Sequence, residues 1–134
     1  MTADDSVYAS RFASQETQRE QVWVEICRHL QRYIPTDSTV LDLAADRGHF
    51  IRNIVAAEKW ASDLRDTSSA MPADVHFVKA DGLMLDQVAP NDHFDRIFMS
   101  NYLEHLSSSD AVVEQLRVAR RLLKVGGSVI VLQP

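Results

Sequence analysis

The sequence predicts an open α/β fold: a doubly wound, mostly parallel sheet of about five strands with helices on both faces. Short β-branched apolar runs alternate with stretches of helical periodicity, and each run closes on a polar or acidic residue. The 134 residues, 46% hydrophobic and 25% charged, suit a single domain with one real core. Parallel neighbours require crossovers, and crossovers are right-handed, which gives the double winding.

Residues 1–13 are polar and read as an N-terminal arm; residues 14–134 form the domain. From Ser14, a plausible N-cap, Val22, Trp23, Ile26, Leu30 and Ile34 recur at helical spacing until Pro35. Thr39–Leu43 is short and apolar, a buried strand. A helix over Gly48–Ala57 carries Phe50, Ile51, Ile54 and Val55 on one stripe. Lys59–Asp63 is a weak second strand, and the stretch after it is loop-like. Val75–Val78 alternates as a third strand and ends at Ala80-Asp81-Gly82. Phe94–Met99 is a fourth strand, opening into Ser100-Asn101. The helix from about Ser109 to Leu123 turns Val112, Val113, Leu116, Ala119, Leu122 and Leu123 inward, and Gly126-Gly127 ends it as a C-cap. Ser128–Leu132 is the fifth strand.

The formal net charge of −5, with no cluster of Lys and Arg, gives a nucleic-acid partner no electrostatic support. The pair Arg120-Arg121 reads as a solvated helix face, and the charge balance favours a small or neutral substrate. The single cysteine, Cys27, excludes an internal disulfide and reads as a small buried hydrophobe. The start of the chain is acidic and has no apolar signal region, and no segment approaches a membrane span, so a cytoplasmic location is expected. His29, His49, His76 and His93 lack metal-ligand spacing, and no metal site is expected.

Doubly wound sheets bind ligands beyond the carboxyl ends of their strands, near the switch in strand order. The acidic residues stand there: Asp42, Asp63, Asp81-Gly82, then Asn101 with Glu104 and His105. Any one of these is more often a cap or turn former. Asp63, about twenty residues past a strand–loop–helix unit, is placed to accept hydrogen bonds from a ribose diol.

VLDLAADRGHF resembles the first motif of class I S-adenosylmethionine (SAM)-dependent methyltransferases, usually LDLGxGxGxF. ASDL, FVKADGLML and FDRIFMSNYLEHL resemble the next three strand-end motifs, and LRVARRLLKVGGSVIVLQP the stretch before and through the fifth strand. Together these cover about residues 38–134. The opening VYASRFASQETQREQVW is similar to bacterial members that tailor small molecules or glycans. The resemblance implies a Rossmann-like methyltransferase sheet with SAM as cofactor and a small-molecule or glycan acceptor. It implies that Asp42 orients the loop and reaches the SAM ammonium, and that the backbone of Ala44, Asp46 and Gly48 approaches the methionine part. Asp63 would hold the ribose hydroxyls and Asp81 the adenine amino group, with Gly82 beside the ring. Asn101 would close over the sulfonium end.

Two of the three loop glycines are replaced, by Ala44 and Asp46. Asp tolerates left-handed geometry, but its charge about 5 Å from the SAM carboxylate costs on the order of 3 kcal/mol at an effective dielectric near 20. That is roughly a hundredfold in affinity. Asp46 is expected to avoid this by pointing outward or pairing with Arg47, or to be offset by Arg11 folding over the cofactor with Tyr8. A nicotinamide dinucleotide fits worse, because G-x-G-x-x-G is absent and an acidic loop opposes pyrophosphate. Family sheets usually continue to seven strands, so the chain reads as truncated after the fifth, whose apolar edge invites a homo-oligomer. His105 is the candidate base for a hydroxyl acceptor. The rival reading is a catalytically inactive methyltransferase-like protein serving as a binding or assembly module.

Overall fold

In the computed structural model, which describes residues 3–134, five strands form one all-parallel sheet in the order β3-β2-β1-β4-β5. They are β1 (Thr39–Leu43), β2 (Glu58–Asp63), β3 (Val75–Lys79), β4 (Phe94–Ser100) and β5 (Leu123–Leu132). The chain moves outward from β1 through β2 to β3, then crosses to β4 and β5 on the other side. The switch in strand order therefore falls between β1 and β4, where Asp42 faces Phe98 in the register.

Alternation along the strands builds two cores. Val40, Ala61 and Phe98 pack with Cys27, Phe50, Ile51 and Ile54 under α1 (Ala3–Leu30) and α2 (His49–Asn53). Leu41, Leu43, Ile97 and Met99 pack with Val118, Ala119 and Leu122 under α3 (Ser109–Leu122) and with Leu85 of a 3-10 turn. With both faces covered, all five residues of β1 are buried, which is why Val40, Leu41 and Leu43 are apolar on both faces of the strand. Cys27 is buried as expected, and burial pushes its thiol up to about 12.

Several local expectations give way. α1 reaches back to Ala3, so Ser14 is an interior residue and not the N-cap. No Gly or Pro interrupts residues 3–30, so nothing stops the helix from propagating through the polar stretch. At 28 residues it is about 42 Å long, and its described side chains up to Gln15 are exposed. Val22 is 56% exposed, and Cys27 takes the buried stripe instead. α2 covers only five residues, leaving Val55 exposed.

On α3 the buried face is Gln115, Val118, Ala119 and Leu122, while Val113 and Leu116 point to solvent. The polar Gln115 claims an inward position because its amide donates to the Gly82 carbonyl and accepts from Tyr102. α3 passes directly into β5 at Leu123, so Gly126-Gly127 are not its C-cap. They belong to a bulge between the pairs Phe94–Leu123 and Arg96–Ser128. A Cβ on Gly127 would stand 2.9 Å from the Lys124 carbonyl and 3.0 Å from that of Phe94, so the bulge requires glycine there.

Candidate functional site

The carboxyl ends of β1 and β4 open onto a cleft of about 490 Å³, with α1 supplying Arg19 and Trp23 to one wall. A second compartment of about 500 Å³ adjoins it beyond β2 and β3, and the two share Ala44, Asp63, Arg65, Tyr102 and His105. Asp42, Ala44, Asp46, Asp63, Asn101 and His105 line the first. Asp81 and Gly82 join Ala44, Asp63 and His105 in the second. Gly48 lines neither; it starts α2.

The loop after β1 takes its shape from three left-handed residues: Ala44 (φ 61°), Asp46 (φ 50°) and Gly48 (φ 75°). These are the positions at which the motif resemblance leads glycine to be expected, and here alanine and aspartate adopt left-handed geometry at two of them. A left-handed alanine costs roughly 1–2 kcal/mol, strain of the kind that collects at ligand sites. Asp46 tolerates the conformation better, and its N–H donates to Asp63 Oδ2 at 2.9 Å. Its carboxylate leaves the turn and pairs with Arg65, Oδ1 to Nη2 at 2.7 Å. Neither expected neutraliser takes that place: Arg47 pairs with Glu16 and lies over the Phe12 ring, and Arg11 is solvent-exposed. The Tyr8 side chain lies outside the described residues.

Asp42 is 3% exposed on the cleft wall. Burial pushes its carboxyl up to about 8; the Ile51 amide opposes the rise, and Asp63 and Asp46 add to it. A buried carboxyl with so little compensation is suited to a cationic partner. Asp63, also buried, accepts from the Asp46 N–H on Oδ2 and from the Arg65 N–H on Oδ1 at 3.0 Å. A carboxylate has about four lone-pair sites, so two remain for a diol. Asp81 caps the 3-10 turn Gly82–Gln87, taking the Leu83 N–H on Oδ1. Asn101 is left-handed (φ 50°), and its N–H is tied to the Leu132 carbonyl at 3.0 Å. Glu104 turns to Gln133, whereas His105 stays 75% exposed at the cleft mouth.

Sequence reasoning missed Arg19, Trp23, Arg65, Phe98, Tyr102 and Gln115. Trp23 stacks on His49 and meets Phe98 edge-on, closing the apolar back of the cleft. Tyr102 Oη donates to Gln115 at 2.6 Å, and burial followed by the nearby Asp81 pushes the phenol up to about 12. A Cβ on Gly82 would fall 2.6 Å from both Tyr102 Oη and Gln115 Oε1, so this network specifies glycine. A buried polar residue on the apolar face of α3 was the one available signal for Gln115. No group of three or more His, Cys, Asp or Glu able to hold a metal occurs among the described residues. No described helix is long and apolar enough to cross a membrane.

A family model described as a methyltransferase domain matches residues 16–134. Among curated proteins, no sequence match was found. Solved structures share the fold. A SAM-dependent methyltransferase from Archaeoglobus fulgidus is 21% identical with a TM-score of 0.64, over 90% of this chain and 57% of that one. The trans-methyltransferase CalH, in complex with SAH, is 17% identical with a TM-score of 0.59, over 76% and 33% respectively. DhpI, in a complex with SAM and HEP, is 19% identical with a TM-score of 0.66, over 93% and 60%. The chain thus spans between a third and three-fifths of the length of these structures.

Proposed function

The chain belongs to the methyltransferase-domain family, and on that premise we propose that it binds S-adenosylmethionine in the cleft between β1 and β4 and transfers its methyl group to a small-molecule or glycan acceptor. The observation that carries the reading is the buried, uncompensated Asp42 carboxyl beside the diol-competent Asp63, at the strand-order switch of a parallel sheet. The donor set fits the cofactor. Asp42 offers a carboxyl that an ammonium group would draw into its anionic form, Asp63 two free lone-pair sites to a ribose, and Asp81 its Oδ2 to an exocyclic amine. Ala44 and the Asp46 backbone line the cleft where the methionine part would lie, and Asn101 closes its β4 side.

When bound, the cofactor supplies a methyl group activated by its sulfonium. The protein's contribution is alignment and exclusion of water, since an in-line displacement needs little else. Trp23 and Phe98 keep the back of the cleft apolar, and Arg19 flanks it. A hydroxyl acceptor would have to give up its proton during the transfer. His105 at the cleft mouth is our candidate to take that proton.

Calorimetric titration with SAM and its demethylated product tests the reading. Micromolar affinity, weakened at least tenfold by Asp63→Ala, is expected. Absence of binding at millimolar ligand would overturn it. We further infer that two copies associate through β5, which pairs with β4 alone among the described strands.

A further inference from the structure

We propose that Arg65 is a positioning residue that makes an acidic cofactor loop usable, by holding the Asp46 carboxylate out of the cleft and bracing the Asp63 carboxylate beside it. This rests on the cofactor reading given above. The geometry is a clamp across two strand-end loops. Arg65 Nη2 lies 2.7 Å from Asp46 Oδ1 on the loop after β1, and its Nε lies 3.5 Å from Asp63 Oδ1 at the end of β2. Its own N–H donates to the same Asp63 oxygen at 3.0 Å, while the Asp46 N–H donates to the other at 2.9 Å. Asp63 is therefore gripped from both loops, and Arg65 neutralises the charge that the loop has gained.

Asp46 stands in a left-handed turn whose backbone direction is set, so its carboxylate has few places to go. Released from Arg65, it can rotate toward the cleft it lines, where the cofactor carboxylate and the already crowded Asp42 and Asp63 lie. The neighbouring arginines are engaged elsewhere: Arg19 and Arg47 by Glu16, and Arg52 by Glu20. Both partners are largely exposed, so the pair adds little to global stability. Its effect belongs to the binding step, where a free loop carboxylate meets another carboxylate at short range. An arginine is suited to this because its planar fork can reach two carboxylates at once.

The test is a double-mutant cycle in the full chain with two readouts. The first is the dissociation constant of the demethylated cofactor product. The second is amide hydrogen exchange of residues 44–48 in the ligand-free protein. Arg65→Ala is expected to weaken binding five- to thirtyfold and to speed exchange at the Asp46 amide several-fold. Arg65→Lys should restore part of both, and Asp46→Asn, which also tolerates the left-handed turn, supplies the background in which the clamp has no loop charge to hold. In the Asp46→Asn background, Arg65→Ala should then cost less than threefold. An equal loss in both backgrounds would overturn the proposal, because Arg65 would then act independently of the Asp46 charge. So would unchanged affinity and exchange in Arg65→Ala. If the wild-type chain binds no cofactor yet the exchange pattern and its coupling to Asp46 hold, the clamp stands and the cofactor reading fails.

Discussion

Asp42 is a buried carboxyl whose protonation ties the stability of the fold to pH. Its folded carboxyl is raised to about 8, far above its unfolded value. A raised carboxyl contributes stability that is present below the unfolded value and lost as pH climbs through the folded one. Between about pH 4 and pH 8 the ligand-free chain should therefore lose stability from this group. Asp42→Asn, which keeps the shape without the charge, is expected to stabilise the protein by on the order of 2–5 kcal/mol at pH 9, and by little at pH 4. Denaturant unfolding at the two pH values reads this directly. An asparagine variant no more stable at pH 9 than the parent would show that Asp42 is better solvated than its 3% exposure suggests. The same variant should lose most of its cofactor affinity. Ala44 carries backbone strain of its own, because it is left-handed where glycine would relax the turn.

Among the elements, α1 is held unusually. Among its described residues, Trp23, Cys27 and Leu30 pack into the core, and all lie in its C-terminal third. Its middle is held by polar contacts to α2: Glu20 accepts from Arg52 at 2.9 Å and Asn53 at 2.8 Å, and meets His49 Nδ1 at 2.6 Å. Burial works against the Glu20 anion, but the hydrogen bonds from Arg52, Asn53 and His49 outweigh it and hold the carboxyl down at about 2. This contribution is present above about pH 4.5 and is lost as pH falls toward 2. Glu20→Ala is expected to cost only about 1 kcal/mol globally, because the glutamate is partly exposed. Limited proteolysis should nevertheless cut residues 6–22 much faster, while the sheet stays protected. Because Arg19 and Trp23 line the cleft, cofactor affinity should fall with it. Unchanged cleavage would mean that the apolar seat alone docks the helix.

At the scale of the whole molecule, β5 is the consequential edge. Strand residues alternate sides, and the Leu132 carbonyl accepts from Asn101 beside β4, so the N–H of Val131 points outward. Lys124 and the bulge guard the first half of the strand, so the proposed association would run along Ser128–Leu132. If two copies join there, Val131→Pro should shift sedimentation from dimer to monomer without disturbing the β4 ladder. A parent chain that sediments as a monomer at hundreds of micromolar would refute the association.

Architecture and strand order of chemistry were legible because each rests on local pattern. Period-two and period-3.6 apolar spacing mark the strands and helices, and parallel strands of one hand place their carboxyl ends together. Asp42, Asp63, Asp81 and Asn101 could be assigned to that edge before any coordinates, and the structure brings them to the two linked compartments. What only the tertiary structure decided depends on partners distant in sequence. The fate of Asp46 hangs on Arg65, the inward turn of α3 on Gln115 reaching Gly82, and the cleft wall on Trp23 reaching His49 and Phe98. The start of α1 was misread for a complementary reason: nothing in the polar stretch demands helix, but nothing forbids its propagation. Local sequence encodes which face seeks a core, whereas the cancellation of charges and the direction of polar groups are fixed only when separate loops meet.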